Sequence, residues 1–211
     1  MPGRLTVCGG ALALLLPALV TGCGAARSDC MRAVADGLPL SAPPDAALVV
    51  FVRHEGSPGT LYTVMDEQKR FLGESAVRSR FSVTMAPGDH LFIAWDDHGP
   101  NPNGFTFEVM GAASDAPDLP RIEPLQASLS RAKVYVVEVG PKGSLRARPP
   151  ASGDAALAGT SAYAPDVARG QATLDRAPMR LERIRQKAIE LLDGYRYGDV
   201  ALHRMHAADG R

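Results

Sequence analysis

Four polar side chains around one predicted strand could supply ligands to a metal ion. His90 begins the strand, and Asp96, Asp97 and His98 follow its end at Trp95. Imidazole and carboxylate groups suit zinc or a similar divalent ion. An extended chain puts roughly 20 Å between His90 and Asp96, so these two residues cannot share a site within the strand. Asp97 and His98 alone supply two ligands, one fewer than a catalytic zinc site usually has. We therefore interpret this segment as a polar loop and expect neither a metal nor another cofactor.

Other patterns that carry catalysis are also weak. His203 and His206 have the i, i+3 spacing of one helical face, but they lie in the last nine residues, where we expect the chain to fray. The sequence contains no Gly-x-Ser-x-Gly nucleophile elbow and no glycine-rich phosphate loop. The 23 basic and 23 acidic side chains balance, which argues against a nucleic-acid binder. The prediction is a protein that is not an enzyme.

Aromatic side chains recur at alternating positions of the predicted strands. Such residues are usually part of a core, although an exposed set could recognise a sugar or a peptide. We predict a core role for Tyr62, Trp95, Phe105, Phe107 and Tyr135.

The first 22 residues have the layout of a secretory signal. Arg4 supplies a positive charge, and residues 11–20 form an apolar run that is too short to span a membrane. Small residues follow this run, and Cys8 would leave with the signal. The alternatives are an ordinary cleaved signal with an incidental cysteine, or a cytosolic protein with an apolar start.

The motif Val20-Thr21-Gly22-Cys23 resembles the lipobox of bacterial lipoproteins. This resemblance implies cleavage after Gly22 and acylation of Cys23, which would anchor the chain to a lipid bilayer because each buried methylene contributes about 0.8 kcal/mol. Gly24, where an acidic residue would favour retention in the inner membrane, implies the outer membrane, with the domain facing the periplasm. We expect the lipid anchor rather than net charge to hold the protein there.

The mature chain divides by composition into four segments. Residues 23–45 are small, polar and proline-bearing, and are predicted to be a lipidated tether. Cys30 lies in this tether, where a free thiol, an intermolecular disulfide and a small buried residue are all possible; we favour the last. Residues 46–148 are predicted to be a β-sandwich domain, 149–173 an Ala/Gly/Pro-rich linker, and 174–211 a helical segment.

The sandwich prediction rests on short alternating or β-branched runs separated by turn residues. Residues 46–53, 60–65, 105–109 and 133–139 are predicted strands, and residues 80–95 are predicted to form a hairpin about Pro87-Gly88. About seven such strands predict a mainly β fold, an antiparallel β-sandwich with a C-terminal amphipathic α-helix.

The C-terminal helix is predicted from apolar residues spaced three and four apart. These residues are Leu181, Ile184, Ala188, Leu191 and Tyr195. Asp175 or Pro178 could begin the helix and Gly194 could end it. The apolar stripe most simply packs on the sandwich, and the alternative is that it binds an envelope protein partner.

The order of turns and strands resembles a family of bacterial envelope lipoproteins built on a domain of unknown function, similar in pattern to PEGA surface modules. The motifs are Phe71-Leu72-Gly73, Pro87-Gly88-Asp89-His90 and Lys133-Val134-Tyr135-Val136. The resemblance covers residues 46–148. It implies a β-sandwich on a lipid anchor and no established catalytic residues.

The sequence thus predicts a membrane-anchored lipoprotein that is a non-catalytic binding or structural accessory of the cell envelope. The alternative is a periplasmic metal-dependent hydrolase that uses the loop from Asp96 to His98.

Overall fold

A computed structural model of the chain describes residues 28–35, 40–56, 59–96, 122–149, 155, 157–197 and 203–211. Within them, eleven strands form two sheets of mostly antiparallel strands, and two helices lie between the tenth and eleventh strands. This arrangement confirms the predicted fold class, a mainly β sandwich with a C-terminal helix. The predicted strand at 105–109 lies outside the described residues.

The eleven strands vary from two to nine residues in length. They are β1 (Met31–Ala33), β2 (Ala47–Arg53), β3 (Tyr62–Asp66), β4 (Phe71–Ser75), β5 (Ser79–Met85), β6 (Gly88–Asp96), β7 (Leu125–Leu129), β8 (Val134–Val139), β9 (Leu145–Arg148), β10 (Ser161–Pro165) and β11 (Arg204–Met205). The six-stranded sheet has the order β1-β10-β5-β2-β8-β9, and the five-stranded sheet has the order β11-β7-β6-β3-β4. Three strand pairs are parallel: β2 with β8, β10 with β5, and β11 with β7.

Strand β2 is buried on both faces, which explains its continuous apolar sequence. Val49 and Phe51 face the core between the sheets. Val50 and Val52 face outward, where they pack with Val136 and with Leu157 from the segment before β10. The six-stranded sheet is thus covered on its outer side as well.

The two strands of the predicted 80–95 hairpin do not pair with each other. Strand β5 pairs with β2 in one sheet, and β6 pairs with β3 and β7 in the other. The turn at Pro87 and Gly88 therefore carries the chain from one sheet to the other, and Gly88 has the positive φ expected of the turn. Alternation predicted the strands but could not distinguish a hairpin from a connection between sheets.

Two helices cover the outer face of the five-stranded sheet. They are α1 (Val167–Leu174) and α2 (Pro178–Tyr197). Leu181, Ile184 and Ala188 are buried against a layer that includes Ile93 and Trp95. The apolar stripe therefore packs on its own sandwich. Helix α2 begins at Pro178, one of the two starts considered, and it continues past Gly194 to Tyr197.

The segments interpreted as a tether and a linker contain regular structure. Strand β1 lies within 23–45, and it pairs with β10, which lies within 149–173. Helix α1 also begins inside the predicted linker. Small residues suit these segments because chain and helix pack closely there: a Cβ at Gly170 would lie 2.2 Å from Phe71. Low apolar content concealed this packing.

Candidate functional site

The predicted lipidation site lies outside the described residues. This applies to Cys23, to the cleavage position after Gly22, and to the whole predicted signal of residues 1–22. The first strand of the fold, β1, begins eight residues after Cys23. Every described element therefore follows the predicted cleavage position, and cleavage would remove none of them.

Cys30 is a small buried residue, as favoured from the sequence, and it forms no disulfide. It packs against Phe71 and Leu174, and its carbonyl oxygen accepts a hydrogen bond of 2.7 Å from the backbone N–H of Asp166. Burial, and then the negative charge of Glu74, raises the pKa of the Cys30 thiol. The thiolate that reacts with electrophiles is therefore disfavoured at this position.

The structure does not bring together the two candidate metal ligands that it describes. His90 and Asp96 lie at opposite ends of β6, and Asp97 and His98 lie outside the described residues. Across the described part of the chain, no group of three His, Cys, Asp or Glu side chains could hold a metal ion.

His90 instead stabilises the connection between β5 and β6. Its Nε2 donates a hydrogen bond of 2.8 Å to the carbonyl oxygen of Ala86, and its ring stacks on Phe92 at 6.1 Å between centroids. The Nδ1 atom lies 3.7 Å from a carboxylate oxygen of Glu67, beyond hydrogen-bond distance. These contacts give His90 a structural role at the turn.

The two C-terminal histidines do not share a helical face. They flank β11, which pairs with β7, and they have different partners. His203 Nε2 lies 3.9 Å from a carboxylate oxygen of Glu123, whereas the backbone N–H of His206 donates to Asp209. The expected fraying is also wrong, because Arg211 and Val134 exchange backbone hydrogen bonds of 3.1 and 2.9 Å.

The predicted aromatic set belongs to the core wherever the structure describes it. Tyr62, Trp95 and Tyr135 are buried, while Phe105 and Phe107 lie outside the described residues. The two tyrosines keep their hydroxyl groups hydrogen-bonded: that of Tyr62 accepts from the backbone N–H of Lys142 at 2.7 Å. No recognition face is formed by these three residues.

Arg53 is a buried cation that sequence reasoning missed. It is only 1% exposed, lies 4.5 Å from the centroid of the Tyr62 ring, and donates to the carbonyl oxygens of Glu55, Thr60 and Ser75. Burial lowers the pKa of the guanidinium. These bonds join the ends of β2 and β4 to the segment before β3. Its position as the last residue of an apolar strand was the only signal in the sequence.

A cleft of about 400 Å³ opens between the two sheets, beside the start of α1. Residues 70–72 and 82–86, Pro165 and Val167 line it. Strand β10 pairs with β5 only as far as Phe81, so residues 82–85 have no strand partner on that side among the described residues. An exposed strand edge beside apolar side chains can bind an extended segment by strand addition.

The comparisons with known proteins supply no relative. No protein-family model, no curated protein and no solved structure matches the chain. In the part of the chain that the structure describes, no helix is long and apolar enough to cross a membrane.

The environment of Cys30 predicts that its thiol resists modification in the folded protein. In a chain with Cys8 and Cys23 replaced by serine, we expect an aromatic disulfide reagent to react at least about tenfold more slowly with the native state than with the denaturant-unfolded chain, because the thiol is buried and its pKa is raised. Absorbance of the released thiol measures the rate. Equal rates would contradict the buried position.

Proposed function

We propose that this protein is a lipid-anchored accessory of the bacterial cell envelope that acts by binding, through a β-sandwich held at the membrane by acylated Cys23. The observation that carries the proposal is the position of the fold in the chain. Within the described residues, its elements run from Met31 to Asp209, after the lipobox-like motif that ends at Cys23.

The state of the cysteines also supports acylation at Cys23. A mature chain beginning at Cys23 contains two cysteines, and the other, Cys30, is buried in the fold. A buried thiol is a poor acceptor for an acyl donor in the bilayer. We place the protein in the outer membrane, facing the periplasm, on the basis of Gly24. The similarity to PEGA-like lipoproteins stays a prediction.

The cleft beside α1 is the surface that we assign to binding. Its strand edge can hydrogen-bond the backbone of an extended segment, and Val83 and Val167 can contact apolar side chains of that segment. Val167 is 52% exposed, so its apolar surface is available to a ligand. The hydrolase alternative has no comparable support from the described residues, because its loop residues Asp97 and His98 lie outside them.

The anchor predicts a specific mass for the mature protein. When the chain is expressed in a bacterium that processes lipoproteins, we expect it to begin at Cys23 and to carry a diacylglyceryl group and an N-terminal acyl chain, whereas a Cys23→Ser variant keeps residues 1–22. Intact-protein mass spectrometry measures both. A mature chain that begins elsewhere, or that lacks acyl mass, would contradict the anchor.

The cleft predicts a position-specific contact in living cells. A photo-crosslinking amino acid at Thr84, which is exposed in the cleft, should give a discrete protein adduct. The matched control is Arg146, which is exposed on β9 at the other edge of the same sheet. We expect Val167→Arg to reduce the Thr84 adduct several-fold. Identical adducts from both positions would count against the cleft.

A further inference from the structure

The chain enters the fold very close to the proposed anchor. Cys30 is the seventh residue after Cys23, and it is held by the hydrogen bond from Asp166, the N-cap of α1. Seven residues span at most about 25 Å when fully extended, and a flexible chain of this length averages about 15 Å. The tether expected from the sequence has 22 residues after Cys23, and it would have allowed roughly three times this extended distance between Cys23 and the fold. Helix α1 must therefore lie near the bilayer.

The surface beside this entry point is basic. Arg169, Arg176, Arg183 and Lys187 are exposed on α1, on the link to α2 and on the first half of α2. Arg183 and Lys187 are four residues apart and therefore lie on one helical face, away from the buried stripe. Asp175 is also exposed in this stretch. Its carboxylate accepts a hydrogen bond from the Gln171 side chain, which carries no charge.

The other acidic side chains of the helices do not cancel this charge. The Glu182 carboxylate accepts from Lys69 at 2.7 Å and from Arg185 at 3.1 Å. Glu190 and Asp193 lie nearer the C-terminal end of α2 than Lys187 does. Asp29, next to Cys30, lies 3.9 Å from Arg169, so Arg176, Arg183 and Lys187 carry the remaining positive charge of this surface.

An exposed apolar side chain occurs in the same place. Within the described ranges, the exposed large hydrophobic residues are Leu40, Val167 and Met179; Val167 belongs to the cleft, and Met179 stands at the beginning of α2. Met179 is 78% exposed. Arg176 and Arg183 flank it in the sequence, and basic side chains beside an anionic bilayer are attracted to its headgroups.

We propose that α1 and the first half of α2 dock on anionic lipid headgroups of the bilayer to which Cys23 is attached, with Met179 at the boundary of the acyl chains. This inference rests on the proposed lipid anchor and adds a defined orientation to it. Lipid headgroups are the favoured partner because the seven-residue segment keeps this basic surface beside the membrane. Each basic residue near an anionic surface shifts the ratio of docked to undocked protein about fivefold.

The test uses the full lipidated chain, reconstituted into phosphatidylcholine vesicles with or without phosphatidylglycerol. Cys30 is buried, so a Met179→Cys variant has one accessible thiol for a fluorophore that brominated lipids quench. The control is Arg146→Cys, at an exposed position of β9 on the far edge of the six-stranded sheet. We expect several-fold stronger quenching at position 179 than at 146, only with phosphatidylglycerol. Arg183→Gln with Lys187→Gln should reduce the ratio of docked to undocked protein by a factor of about 25.

The outcomes separate the two proposals. Flotation of the chain with both kinds of vesicle tests the anchor, and a chain that does not float overturns the anchor and the docking together. A chain that floats but shows equal quenching at the two positions overturns only the docking. The fluorophore at position 179 could instead be shielded to a degree that depends on the protein density on the vesicle and not on phosphatidylglycerol. That result overturns the docking in favour of contact with a second copy of the chain. Circular dichroism of each variant confirms that the substitutions on exposed positions leave the fold intact.

Discussion

Burial of both faces of β2 and of the middle of β6 is the constraint on which the rest of the structure depends. Each sheet has one face in the shared core, so a second layer must cover each outer face. Leu157 and its neighbours cover one sheet, and α2 covers the other through Leu181, Ile184 and Ala188. The C-terminal third of the chain is therefore an integral part of the sandwich.

Local patterns predicted most elements but not how they pair. Alternation marked β5, and the three-four spacing marked α2, because both signals depend on residues close in sequence. The pairing of β5 with β2 and of β1 with β10 depends on residues far apart, so a hairpin was predicted where the chain changes sheet. Residues 161–173 were predicted to be part of a linker because their few apolar side chains conceal close backbone packing, as at Gly170.

The candidate sites, too, could be predicted from the sequence only where they depend on local patterns. The burial of Trp95 and Tyr135 was predictable, since aromatic residues in strands usually belong to a core. The role of Arg53 was not, because its partners are backbone carbonyls contributed by other segments. The cleft could not be predicted from the sequence either, because it exists only where β10 diverges from β5 after Tyr163.

These packing constraints also bear on how the protein meets its membrane. The contact between Asp166 and Cys30 joins the segment directly before β1 to the helical layer, and a seven-residue segment links that contact to Cys23. Neutron reflectometry of the lipidated protein on a supported bilayer containing phosphatidylglycerol tests this arrangement most directly. We expect protein density that begins at the headgroups. A water layer as wide as the extended segment, about 25 Å, between headgroups and protein would contradict it.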